Sequence, residues 1–144
     1  PAVGYRFTYK GRTVVITGDT IKDQNIVEMS RGVDLLIHEA LAANLVALMN
    51  EGARKNGQEV MAAITHDIPD YHATPMDAAE TAAEAGVGHL LYYHIVPALL
   101  IPGQERLFLN GAQDVFPNFT IGYDGVAFTL PPDSDDIIQI SDGL

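Results

Sequence analysis

The chain has 144 residues, enough for one domain with a core of its own and too few for two. Its 19 acidic residues against 8 Lys and Arg give a net charge of −11, which disfavours nucleic acid unless a local basic patch is present. None is visible, since Lys10 and Arg12 flank one turn and Arg54 and Lys55 close one helix, and the absence of cysteine excludes disulfides and thiolate metal sites. Any transition metal would have to use His, Asp and Glu. No apolar run is long enough to span a bilayer; Leu90 to Leu100 is interrupted by His94 and Pro97. No basic, apolar signal segment opens the chain, and because the first residue is Pro1 rather than Met, a processed or cut start is expected.

Tyr5, Phe7 and Tyr9 alternate with Arg6, Thr8 and Lys10, the period of a half-buried strand. Lys10-Gly11 turns the chain, and Arg12 to Ile16 returns as a second, strongly β-prone strand that runs into Gly18-Asp19-Thr20. Asp23 caps a short helix ending at Arg31-Gly32. Val33 to Ile37 reads as a strand buried on both faces. A longer helix follows with Leu41, Leu45, Leu48 and Met49 on one face, ended by Gly57. Thr65 to Thr74 reads as a polar loop holding His66 and His72. Thr74-Pro75 starts a helix whose small face of Met76, Ala79, Ala82 and Ala83 allows close approach to a sheet. Gly86 ends it, Leu90 to Tyr93 is the next buried strand, and Thr120 to Leu130 reads as a hairpin turning at Asp124-Gly125. The last dozen residues look like a tail or a docking strand. Strands alternate with helices, so the class is α/β with a hairpin at each end.

Polar groups gather at strand ends. Asp19 follows the second strand, His38 and Glu39 follow the third, and His94 follows Leu90 to Tyr93. In α/β sheets ligands collect outside the carboxyl ends of the strands, and His72 could reach the same edge. Taken singly, each residue also has a structural reading. Asp19 could satisfy backbone N–H groups in a turn, His94 could be a core histidine, and Glu39 could open a helix. His66 and His89 carry the structural reading only, His89 because it lies at the beginning of its strand.

Together and in order, Val14-Val15-Ile16-Thr17-Gly18-Asp19-Thr20, His38-Glu39-Ala40, His72-Ala73-Thr74 and Tyr93-His94-Ile95-Val96-Pro97 resemble the C-terminal half of metallo-β-lactamase-fold hydrolases. The branch that looks most similar is that of ribonuclease Z and the related phosphodiesterase or arylsulfatase-like enzymes, from about Tyr5 to Leu130. The resemblance implies that residues 1–144 form half of an αββα sandwich, a mixed sheet with helices on one face. It implies Asp19 as the carboxylate bridging two metals, usually zinc, and His94 as the last histidine ligand of one of them. His38, Glu39 and His72 match its catalytic segments, in which a histidine oriented by a glutamate protonates the leaving group while metal-bound hydroxide attacks.

Two departures stand out. Leu41 replaces the Thr of ribonuclease Z, which weighs against transfer-RNA processing. The His-x-His-x-Asp-His motif that supplies most of the family's metal ligands is absent. With only Asp19 and His94 as ligands, zinc would be partial or absent in the chain alone, against two per complete site. The expected partners are therefore the missing N-terminal half or a second copy, covering an exposed apolar sheet, and a small anionic substrate such as a phosphate or sulfate ester, with no membrane and with nucleic acid disfavoured. The alternatives are ribonuclease Z-like RNA processing, a magnesium phosphotransferase with Asp19 as nucleophile, and a non-catalytic assembly half.

Overall fold

A computed structural model describes residues 2–140. β1 (Tyr5–Tyr9) and β2 (Arg12–Ile16) form the expected hairpin, with Lys10 and Gly11 both at positive φ, as a tight two-residue turn requires. β3 (Leu35–Leu41), β4 (His89–Val96) and β5 (Phe119–Ile121) complete a mixed sheet in the order β1-β2-β3-β4-β5, parallel from β2 onward. The connections are α1 (Gln24–Met29), α2 (Ala43–Lys55), α3 (Glu59–Asp67), α4 (Pro75–Ala85), α5 (Gln104–Leu109) and α6 (Ala112–Val115). The class is α/β, as the alternation of elements predicts.

The core lies between one sheet face and the helices. Val15, Leu36, Leu90 and Tyr92 of the sheet meet Val27 of α1, Ala78, Ala79 and Ala82 of α4, and Phe108 of α5, all fully buried. Each large side chain buried in this way contributes roughly 1.5–3 kcal/mol. The alanines of α4 bring that helix close to the sheet, although Ala83, expected on the same face, is exposed and Ala78 takes its place. α4 begins as predicted. The Thr74 hydroxyl accepts from the Asp77 N–H at 3.1 Å, the Asp77 carboxylate accepts from the Thr74 N–H at 2.9 Å, and Gly86 ends the helix at φ 63°. α1 is capped by Asp23, which accepts from the Asn25 N–H at 2.7 Å.

Three expectations are corrected. Residues 65–74 are not a plain loop, because α3 extends to Asp67 and one 3-10 turn follows over Ile68–Tyr71. α3 lies along α2, tied by the Asn50 side-chain amide to the Ala62 carbonyl at 2.6 Å and to the Thr65 hydroxyl at 2.9 Å. On α2, Leu45 is buried while Leu48 and Met49 are exposed, and Leu41 belongs to β3, so the predicted four-residue face does not form. The closing hairpin is also absent. β5 pairs in parallel with β4, and β6 (Ala127–Thr129) pairs instead with β7 (Ile138–Ile140) in the tail.

The sheet face away from the helices is covered in part. Phe128 packs on His89 at 5.5 Å, Gln139 accepts from the Thr120 hydroxyl at 3.1 Å, and the chain between β6 and β7 runs past Arg12. Beyond this cover Tyr5, Phe7 and Tyr9 remain more than half exposed, with the Tyr5 and Phe7 rings stacked 6.2 Å apart.

Candidate metal centre

β3 is longer than its apolar run, and His38 and Glu39 lie inside it. Polar groups in a buried strand are as a rule hydrogen-bonded, and Glu39 is matched on every side. Its N–H donates to the Thr17 hydroxyl at 3.2 Å. One carboxylate oxygen accepts from the Thr20 N–H at 3.1 Å and the Ala73 N–H at 2.8 Å, and the other is 3.0 Å from His72 Nδ1. A fully buried carboxylate thus ties the loop after β2 and the loop before α4 to the central strand.

His38 is also fully buried, and its position beside Tyr92 puts it on the helix side of the sheet. Its Nδ1 lies 2.8 Å from the Glu39 carbonyl oxygen, and its Nε2 has no partner. Burial pushes its pKa down, against a smaller opposing effect of the Glu39 carbonyl. The structure leaves His38 outside the group that Asp19, His72 and His94 form and bonds it to the Glu39 carbonyl.

His94 reaches the site by an irregularity. Glu39 pairs with Tyr93 and Ala40 with Ile95, which leaves His94 as an extra residue of β4 at φ 45°. Regular alternation would send it to the helix side with Tyr92; the bulge turns it outward instead. A non-glycine residue in the left-handed region is strained, and such strain concentrates at functional sites. Next to it, the Tyr93 hydroxyl donates to the Thr17 carbonyl, and burial raises its pKa, with smaller contributions from Asp19 and Glu39.

Asp19, His72 and His94 come together at this edge, each offering a ligand atom within 4.8 Å of the other two. His94 Nε2 and Asp19 Oδ1 are 3.5 Å apart, and the His72 and His94 rings stack at 5.6 Å. His72 is buried, whereas Asp19 and His94 are about half exposed. Of the five residues singled out in the sequence, four therefore meet: Asp19, His72 and His94 as possible ligands, with Glu39 behind His72. Tyr93 and Thr17 were missed, since neither carries a signal outside the fold.

The donor set fits a borderline metal such as zinc. It combines imidazole nitrogen with carboxylate oxygen, and Glu39 at Nδ1 is the kind of partner that leaves the other ring nitrogen of His72 available. The position at the carboxyl ends of parallel strands is where such folds gather ligands.

No family model matches the chain. Over 106 residues, 74% of this chain, it is 37% identical to ribonuclease Z of Mycolicibacterium paratuberculosis and 35% identical to ribonuclease Z of Mycobacterium tuberculosis. In three dimensions it resembles the metallo-β-lactamase-fold protein YhfI from Bacillus subtilis, with a TM-score of 0.52 over 79% of this chain and 38% of that one, at 24% identity. The chain has part of a metallo-β-lactamase fold, in the ribonuclease Z-like branch. It spans about a third of the length of the curated relatives it matches.

Proposed function

We propose that this chain is the part of a metal-dependent hydrolase that contributes Asp19 and His94 as zinc ligands and a His72–Glu39 pair as its proton-handling group. The convergence of Asp19, His72 and His94 from three separate segments carries this reading. Zinc, when bound, would act as a Lewis acid on water and ester. The remaining chemistry belongs to the protein. His72 is held by Glu39 through Nδ1, so its Nε2 is the atom that gives a proton to the departing oxygen, and the buried carboxylate stabilises the imidazolium before transfer. His38, buried behind Glu39, acts by holding the Glu39 main chain.

The substrate in this reading is a small phosphate or sulfate ester, phosphodiesters and aryl sulfates included. The −11 charge supports a small substrate over a polyanion. Ribonuclease Z-like RNA processing is the second reading, supported by the names of the relatives. The chain would correspond to the C-terminal half of the domain, and the other half would bring further ligands and cover the face bearing Tyr5 and Phe7. Without that half the chain is expected to self-associate through this face and to be inactive; a monodisperse monomer in sedimentation would count against the face being an interface.

The test is intact mass, zinc content and hydrolysis of bis(4-nitrophenyl) phosphate on one preparation of the purified protein. Zinc-bearing, active material, at two zinc ions per complete site, is expected to lose both properties in Asp19→Ala. His72→Ala is expected to keep its zinc and slow turnover, most for esters with poor leaving groups. Full activity in Asp19→Ala would end the hydrolase reading, and loss of zinc in His72→Ala would make His72 a ligand rather than an acid.

A further inference from the structure

A cavity of about 640 Å³ opens beside the metal cluster, between the end of β4 and the segment after β5. Its volume lies in the range of small-molecule sites. A close backbone approach helps to shape it: the Gly122 N–H donates to the Tyr92 carbonyl at 2.8 Å, and a Cβ on Gly122 would lie 2.5 Å from that same oxygen. The lining is mainly apolar, with Leu91, Ile95, Leu99 and Ile121, and adds the rings of Tyr93 and Tyr123. Among the described residues its charged lining groups are two carboxylates, Glu105 and Asp124, with no Lys or Arg. His94 belongs both to this lining and to the cluster with Asp19 and His72.

We infer that this cavity is a substrate subsite that receives an uncharged planar ring carried by the ester whose phosphorus or sulfur lies at the metal cluster. The inference rests on the hydrolase reading for the ester, and on the cavity alone for the ring. The tyrosines offer faces for stacking, and the aliphatic side chains remove the ring from water. Glu105 and Asp124 accept hydrogen bonds from N–H or O–H groups on the ring edge, and their charge disfavours a further phosphate. Because His94 is shared, the ring's site and the scissile bond's site are contiguous. An aryl alcohol and a nucleobase share the required chemistry, so the probes must separate them.

The experiment is a ¹H–¹⁵N NMR titration of the chain with 2-naphthol, cytidine and inorganic phosphate, each added separately. A ring probe is expected to give saturable shifts at residues 91–93, 95–99 and 121–126, with phosphate giving none there. Saturation by 2-naphthol alone identifies an aryl group, and by cytidine alone a nucleobase; saturation by both supports the ring site in its general form. Ala98→Trp, an exposed lining residue whose enlargement fills the cavity, is expected to weaken ring binding at least 10-fold while the spectrum stays dispersed. No saturable shift with either ring, shifts there from phosphate, or equal binding by folded Ala98→Trp would overturn the proposal. Zinc content and hydrolysis by the chain joined to the proposed other half test the hydrolase reading separately: ring binding by the chain with neither zinc nor hydrolysis there sinks that reading alone, and zinc with hydrolysis but no ring binding sinks this one alone.

Discussion

At the amino end of the parallel strands, polar groups are matched within the chain. Arg12 donates Nε to Asp34 at 3.0 Å, reaches the same oxygen with Nη2 at ion-pair distance, and donates Nη1 to the carbonyls of Pro131 and Ser134. The Asp34 carboxylate also accepts from the Thr13 N–H, and His89 has Asn118 on one ring nitrogen and Thr120 on the other. At the carboxyl end, Asp19 and His94 stand half exposed and 3.5 Å apart, beyond a normal hydrogen bond, and His72 is matched at Nδ1 by Glu39. Charged residues crowd both ends, but the amino end turns them on one another, whereas the carboxyl end leaves Asp19 and His94 half exposed. The matched end staples the tail to the sheet, and the other end is where an added ligand would complete the set.

This contrast predicts opposite responses to mutation. The largest effect is expected at the stapled end: Arg12→Ala leaves Asp34 and two carbonyls without their cation and lowers stability by roughly 3–5 kcal/mol, measured by urea unfolding, with zinc affinity unchanged. Glu39→Ala joins the two kinds of effect. It deprives the Thr20 and Ala73 N–H groups of their acceptor, which costs about 2–3 kcal/mol, and releases His72.

A pH titration comes next. Burial lowers the folded-state pKa of both His38 and His89, so between that value and the unfolded value of about 6.5 the unfolded chain binds more protons. Stability contributed by these groups is therefore full above about pH 6.5 and declines as the pH falls, by about 1.4 kcal/mol per pH unit for each proton. His38→Gln should reduce the proton uptake on acid unfolding by up to one; an unchanged slope would show that His38 is not held neutral. The smallest effect is at the bulge. His94→Gly relieves a left-handed residue and should raise stability by up to about 1 kcal/mol while weakening zinc. A fold destabilised by this change would mean that His94 serves packing rather than a metal.

Much of this site was legible in the sequence because its residues sit where local chemistry already points. Asp19 follows a β-prone run, His72 precedes a Thr-Pro helix start, and the Asp23 and Thr74 caps act within a few residues of themselves. What the sequence hid is non-local. The two-residue period cannot reveal that His94 is an extra residue opposite the Glu39–Ala40 step, because register is a property of two strands. In the sequence the apolar run of β3 stops at Ile37, and Glu39 looks like a surface residue until the fold brings Thr17, Thr20, Ala73 and His72 to it. α3 carries no buried-face signal in the sequence, because its apolar residues Val60, Met61 and Ile64 are exposed. The Asp124-Gly125 turn suggested a hairpin, but β5 is already paired with β4 and the following strand finds β7.

The carboxyl end of the sheet is proposed as a metal site and the amino end as its scaffold. Calorimetric zinc titration of the chain joined to the proposed other half of the domain, as wild type, Asp19→Ala and His89→Ala, tests it most directly. Saturable zinc binding is expected in the wild type and in His89→Ala, with at least a 10-fold loss of affinity in Asp19→Ala. Equal affinity in all three folded proteins, or no zinc binding by the wild type, would contradict it.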